Sequence, residues 1–224
     1  MLLKIEGLLS TADVARIREV LAKMQFVDGR ATAGDAVRDV KHNLQITEQN
    51  KELDECRQLI ANALLKVEAF NLRVLPRRML PMMFNRYDVG MEYGSHVDNA
   101  IMGGADPVRA DMSVTVCLSN PDEYEGGGLV INSDTENRPP FRPVAGTAVI
   151  YNSTTIHRVE PVTRGSRLAA ITWVQSFVRD EARREMLLEL SELARWARGV
   201  ATGSTEAMKI SKVRANLMRM WAEL

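Results

Sequence analysis

Cysteine is nearly missing from this chain: Cys56 and Cys117 are the two present in 224 residues. They show neither metal-ligand spacing nor a disulfide framework, which excludes a thiolate zinc site and a stapled scaffold. Cys56 falls in an expected helix and Cys117 in an expected strand, so both are expected to be reduced and partly buried. Aromatics are sparse at 5% of residues, which argues against stacking platforms for nucleic-acid bases. Neither charge sign is in excess, with 29 Lys and Arg against 29 Asp and Glu. That removes the electrostatic reason to expect nucleic acid or a membrane surface as the main partner. No apolar stretch approaches the roughly 20 residues of a membrane span. The opening Met-Leu-Leu-Lys-Ile-Glu is too short in apolar run to read as a signal peptide. The expected location is cytoplasmic, and the length suits one ordinary domain with an appendage.

What is present is a regular alternation of helix and strand signals. Residues 1–8 look like a short strand. Ser10 reads as an N-cap with Asp13 in the first turn. Val14, Ile17, Leu21 and Met24 then recur at helical spacing, which predicts a helix of about 14 residues. A second helix is predicted from near Glu48 to Lys66, with Leu53, Ile60, Leu64 and Val67 as its apolar stripe. Met79 to Tyr87 reads as a strand with an edge or bulge at Pro81. Residues 99–110 read as a loop, in which Gly103-Gly104 serves as a surface turn or a hinge. Met112, Val114, Val116 and Leu118 alternate with Ser113, Thr115 and Cys117, the mark of a two-faced strand. Gly126-Gly127-Gly128 has no Lys-Ser/Thr after it, so a turn or bulge is expected rather than a phosphate cradle. A polar loop ends at Pro139-Pro140, and strands follow at Thr147–Tyr151 and Leu168–Phe177. Short strands between Gly/Pro turns argue for an antiparallel sandwich or barrel. After Asp180 the texture becomes helical. Met186, Leu190, Leu193 and Ala197 mark one stripe, Gly199 and Gly203 a break, and Ala207, Ile210, Val213, Leu217 and Trp221 a second stripe, docked on the body.

The chemistry gathers around His96-Val97-Asp98. In an extended segment side chains alternate, so His96 and Asp98 share a face and can reach one metal ion. A third ligand is needed, and His157 lies in another strand-like segment beside Ala148-Val-Ile-Tyr151. Two histidines and one carboxylate form the facial triad of non-haem Fe(II) oxygenases, with positions left open for substrate and dioxygen. Arg167 opens the last strand, and its planar, permanently charged fork suits a carboxylate. A triad plus one inward arginine fits an oxo-acid that chelates the metal at one end and is clamped at the other. His42 reads as a surface or capping residue. Asn85 and Tyr93 divide evenly between pocket and packing, and Trp173, alternating with Ile171, reads as core. Ligand histidines must be neutral, so apparent iron affinity is expected to fall below the imidazole range of about pH 6.5.

The pattern Tyr87, His96-x-Asp98, Gly126-Gly127, Gly146, His157, Arg167 and Trp173 resembles the Fe(II)/2-oxoglutarate dioxygenases of the prolyl-4-hydroxylase type. The fuller stretch Phe84 to Ala100, with the helical tail, is similar to the bacterial PKHD-type hydroxylases, some of which are associated with iron uptake. The resemblance implies a mainly β fold with flanking helices, built on a double-stranded β-helix (jelly roll) core with a C-terminal helical tail. It implies a dioxygenase domain over 1–178, helical to about 75 and jelly roll from about 76, then a two-helix extension over 179–224. His96, Asp98 and His157 carry over as iron ligands, Arg167 as the partner of the 2-oxoglutarate distal carboxylate, and Tyr87 as a second donor to it. The implied cofactors are Fe(2+), 2-oxoglutarate as cosubstrate and L-ascorbate as reductant. The implied reaction is oxidative decarboxylation of 2-oxoglutarate to succinate and carbon dioxide, coupled to hydroxylation by O2 of a small-molecule or peptidyl substrate. A homo-oligomer contact through the C-terminal helices stays open. Asp98 argues against the halogenase variant, in which the carboxylate ligand is absent. The competing readings are a non-catalytic metal- or 2-oxoglutarate-responsive sensor on the same fold and a cupin-like metal enzyme without cosubstrate.

Overall fold

Met112–Cys117 organises the molecule, because both of its faces are buried for different reasons. Met112, Val114 and Val116 join the main hydrophobic core, whereas Ser113 and Thr115 line an internal cavity. The architecture comes from a computed structural model describing residues 1–32, 34–131, 139–200 and 205–224. In chain order the first elements are β1 (Leu2–Ile5), α1 (Thr11–Ala22), β2 (Val27–Asp28), two 3-10 stretches (Gly29–Thr32 and Asp35–Val40), β3 (Lys41–His42) and β4 (Leu44–Gln45). Next come α2 (Lys51–Lys66), α3 (Glu68–Val74), β5 (Pro76–Met79), β6 (Met83–Tyr87), β7 (Glu92–His96), β8 (Ile101–Met102), β9 (Val108–Arg109) and β10 (Met112–Cys117). The remainder is β11 (Tyr124–Gly126), β12 (Leu129–Ile131), β13 (Ala148–Asn152), β14 (His157–Val159), β15 (Val162–Gly165), β16 (Arg167–Ser176), α4 (Glu181–Val200) and α5 (Thr205–Trp221).

The major sheet runs β1-β13-β10-β16-β6-β4-β2, with β5 also paired to β16. The minor sheet runs β12-β14-β7-β3, and β11–β15 and β8–β9 form separate pairs. The pairings are antiparallel, and the two sheets make the jelly roll. Helices α1 to α3 cover the outer face of the major sheet, where Ile17, Leu21, Leu53, Ile60, Leu64 and Phe70 pack with Val114, Ile150 and Ala170. A second cluster, including Leu129, Val149 and Val159, fills the inside of the roll beside the cavity. Helices α1 and α2 begin where the sequence provides a cap. Ser10 Oγ accepts from Asp13 N at 3.1 Å while Asp13 accepts from Ser10 N, a reciprocal box worth about 1 kcal/mol. Asn50 Oδ1 accepts from Leu53 N at 2.9 Å, so α2 starts at Lys51 rather than at Glu48. Cys56 joins the buried stripe of α2. No helix among the described residues is long and apolar enough to cross a membrane.

Several sequence expectations change. The strand expected over Met79–Tyr87 is two strands, β5 and β6, because Pro81 has no N–H to give a ladder. The loop expected over 99–110 contains the β8–β9 hairpin, with Gly103 and Gly104 at positive φ (102° and 61°) in its turn. The buried face of α4 is Arg184, Leu187, Ala194 and Ala197. Met186 and Leu193 are half exposed, because the face that counts is the one meeting Leu75 and Val178 of the body. Gly199 stays inside α4, whereas Gly203 and most of the polar loop before Pro139 lie outside the described residues.

The tail is bound to the body by apolar and ionic contacts. Leu187 packs with Leu75 and Val178, joined by Leu217 and Trp221 from α5. Arg109 on β9 pairs with both oxygens of Asp111 at 2.7 and 2.9 Å, with Ser176 O and with Glu223 beyond α5. Truncating Leu187 to Ala removes a fully buried side chain at this junction and should cost roughly 2–5 kcal/mol. Urea unfolding measures it; an unchanged midpoint would mean that the tail contributes nothing to the stability of the body.

Candidate functional site

His96 ends β7 and His157 begins β14, and the two stand opposite each other in the ladder. Their rings lie 4.2 Å apart, with Tyr93 stacked on His96 at 3.7 Å and Tyr151 edge-on to His157 at 4.9 Å. Both histidines are held in the same way. Each Nδ1 faces a backbone carbonyl two residues back, Gly94 O at 2.8 Å and Thr155 O at 3.0 Å. A carbonyl only accepts, so Nδ1 carries the proton and Nε2 keeps its lone pair. Both Nε2 atoms point at Asp98, at 3.9 Å from Oδ1 and from Oδ2 respectively. Those distances are too long for hydrogen bonds. One ligand atom from each of the three residues lies within 4.8 Å of the others, close enough to share a metal ion. The N2O donor set, with both tautomers fixed, fits Fe(II).

Burial, and then the neighbouring His157, pull the His96 pKa down to about 4. The imidazole is therefore neutral through the physiological range, as a metal ligand must be. Proton competition at His96 thus begins well below the pH 6.5 or so expected from an ordinary imidazole. Burial and the Asp98 carboxylate raise the pKa values of Tyr93 and Tyr151, so these phenols stay protonated. Lys41, on β3 opposite Tyr93, lines the same cavity with its ammonium 5.6 Å from the Tyr93 ring; burial lowers its pKa to about 8.

The triad, Arg167 and Tyr87 all line one cavity of about 230 Å³. Arg167 opens β16, is 4% exposed, and pairs in register with Tyr87 on β6. Its guanidinium lies 5.2 Å from the Tyr87 ring centroid, and no carboxylate among the described residues pairs with it. Gly127 makes room for this arginine: a Cβ there would come within 3.2 Å of Arg167 Cδ and 2.9 Å of Val162 Cγ2. The glycine run is therefore a bulge at β11–β15, as its sequence implies, and also the floor under Arg167. Asn85 and Tyr93 both line the cavity. So does Trp173, read from the sequence as core; its Nε1 and Asn85 Oδ1 are buried without a hydrogen-bond partner. His42 is exposed, as expected. Sequence reasoning missed Lys41, Ser113, Tyr151 and Ser153. For Ser113 the signal was there, because it sits on the polar face of an alternating strand. Lys41 lies in an aperiodic stretch that carries no such signal.

The lowered His96 pKa has a consequence for the apoprotein. Between about pH 6.5, where the imidazole of the unfolded chain takes up its proton, and about pH 4, the unfolded state holds more protons. Stability therefore falls as pH falls through that window. Thermal unfolding from about pH 7 to about pH 4.5 should show a loss that is smaller in His96→Gln. Equal losses would mean that another group is responsible.

Comparison with known proteins bears on the fold and the family. Residues 82–175 match the family model of the 2OG-Fe(II) oxygenase superfamily. A PKHD-type hydroxylase of Methylobacterium nodulans is 42% identical over 228 residues, covering 100% of both chains. Among solved structures, the chain resembles a prolyl hydroxylase of Trichoplax adhaerens in complex with a hypoxia inducible factor peptide fragment. The TM-score is 0.59 at 15% identity, over 83% of this chain and 86% of that one. It also resembles HygX of Streptomyces hygroscopicus with nickel and 2-oxoglutarate bound, with a TM-score of 0.53 at 17% identity, over 79% and 84% of the two chains. These structural likenesses speak for the fold, and the full-length sequence identity speaks for the lineage: the chain belongs to the PKHD-type hydroxylases of the 2OG-Fe(II) oxygenase superfamily.

Proposed function

We propose that His96, Asp98 and His157 hold the iron of this Fe(II)- and 2-oxoglutarate-dependent hydroxylase, and that Arg167 and Tyr87 hold the distal carboxylate of 2-oxoglutarate. The observation that carries this reading is the convergence of two tautomer-fixed Nε2 atoms on Asp98 in the same cavity as a buried arginine. Bound Fe(II) supplies the oxidative decarboxylation of 2-oxoglutarate to succinate and carbon dioxide, coupled to hydroxylation of the substrate by dioxygen. The chain's own residues do the binding and orienting. The carbonyls of Gly94 and Thr155 hold the imidazoles in one tautomer and one orientation. Arg167 offers a charged fork, and burial keeps the Tyr87 phenol protonated as a donor. Stacked Tyr93 and edge-on Tyr151 wall the histidines. Met83, Met102, Ile171 and Trp173 give the rest of the cavity an apolar lining, suited to the carbon skeleton of a peptidyl or small-molecule substrate. Ascorbate is the proposed reductant, on the resemblance alone.

Anaerobic addition of Fe(II) and then 2-oxoglutarate to the apoprotein should produce a weak visible charge-transfer band that needs both. His96→Ala should abolish the band, and its survival there would remove His96 from the ligand set. Arg167→Ala deletes charge-assisted hydrogen bonds worth roughly 1.5–3 kcal/mol, so 2-oxoglutarate should bind about tenfold to hundredfold more weakly. Iron affinity should be unchanged in that variant. Tyr87→Phe should weaken the cosubstrate several-fold. Succinate release measures both effects, and an unaltered KM for 2-oxoglutarate in Arg167→Ala would sink the assignment of that residue.

A further inference from the structure

Asp98 already has one oxygen engaged. Ser113 Oγ lies 2.5 Å from Asp98 Oδ2 and 2.8 Å from Ser153 Oγ. A carboxylate has no proton to give, so Ser113 spends its single proton on Asp98. Ser153 must then be the donor in the second contact. Donation therefore runs in one direction, from Ser153 to Ser113 to Asp98. Both serines are buried, at 3% and 2% exposure, in surroundings where linked hydrogen bonds polarise one another. Each is fixed by its backbone. Ser113 stands on β10 in register with Trp173 on one side and Tyr151 on the other. Ser153 follows β13, and its N–H donates to Asp111 O at 3.1 Å. Asp98 Oδ1, by contrast, accepts no hydrogen bond among the described residues, although the two oxygens stand alike toward the histidines, Oδ1 3.9 Å from His96 Nε2 and Oδ2 3.9 Å from His157 Nε2.

We propose that Ser113 and Ser153 form a positioning relay that occupies Oδ2 of Asp98 and so leaves Oδ1 as the oxygen offered to the metal. The two residues act on the site through the carboxylate. By tying one oxygen to a hydroxyl, the relay fixes the carboxylate plane and keeps its second oxygen from competing with the 2-oxo acid. The inference rests on the reading of His96, Asp98 and His157 as iron ligands.

The test uses the full chain as wild type, Ser113→Ala, Ser153→Ala and the double variant. Fe(II) affinity, the charge-transfer band with 2-oxoglutarate and the apoprotein melting temperature are measured for each. A missing partner behind a metal ligand costs about tenfold to hundredfold in affinity, so Ser113→Ala should lose that much and shift the band. Ser153→Ala should lose about threefold in the wild-type background, and nothing further in Ser113→Ala, because residues acting through one another are not additive. Apoprotein melting of the single variants should stay close to wild type. Wild-type affinity and band in Ser113→Ala would overturn the proposal, as would two independent losses that multiply. If Ser113→Ala does not fold, Ser153→Ala decides alone, and unchanged iron affinity there overturns the relay. Absence of the band from the wild type would count against the ligand reading itself, which separates that failure from the failure of the relay.

Discussion

The functional centre depends on one cross-strand pair. His96 and His157 are distant in the chain and meet only because β7 and β14 lie side by side in the minor sheet. A slip of one residue in that pairing would turn one imidazole away from the cavity, since side chains alternate along a strand. The register is held by what surrounds it. Leu129 and Ile131 pair with β14 from one side, and Lys41 and His42 pair with β7 from the other. The tyrosines packed against the two rings add shape to the same constraint. The site is thus a property of the minor sheet, with the major sheet supplying Arg167, Tyr87 and Ser113 from across the cavity.

The two sheets divide their labour by polarity. The outer face of the major sheet is an ordinary apolar surface under three helices. Its inner face is unusually polar for a buried surface, with Ser113, Thr115, Asn85 and Arg167 among its side chains. Buried polar groups cost free energy unless satisfied. Here part of that cost is offset inside the protein, through Ser113 to Asp98. Part is left standing at Asn85 Oδ1 and Trp173 Nε1. A fold selected for stability alone would have filled this face with aliphatic side chains.

Much of this was legible in the sequence where a local rule sufficed. Period-two spacing put His96 and Asp98 on one face, and the alternation over Met112–Leu118 assigned the core side of β10 correctly. Ser10 and Asp13 announced the start of α1. Pattern also has a definite limit: it tells which side chains share a face, not what that face meets. Trp173 was assigned to the core although its face borders the cavity, and the α4 stripe was rotated because its partner surface includes Leu75, which lies far away in sequence. His157 was chosen as the third ligand because one more was needed and it lay in another strand-like segment; its place opposite His96 was not read, since nothing local encodes a partner in another strand. Lys41 was invisible for a related reason, because the segment that carries it has no period.

The tie between Arg109 and Glu223 spans 114 residues and fastens the hairpin that follows His96-Val97-Asp98 to the segment just beyond α5. The hairpin that carries Met102 to the cavity is thus fastened by a residue 114 positions beyond Arg109, so a change confined to the tail can be felt at the cavity.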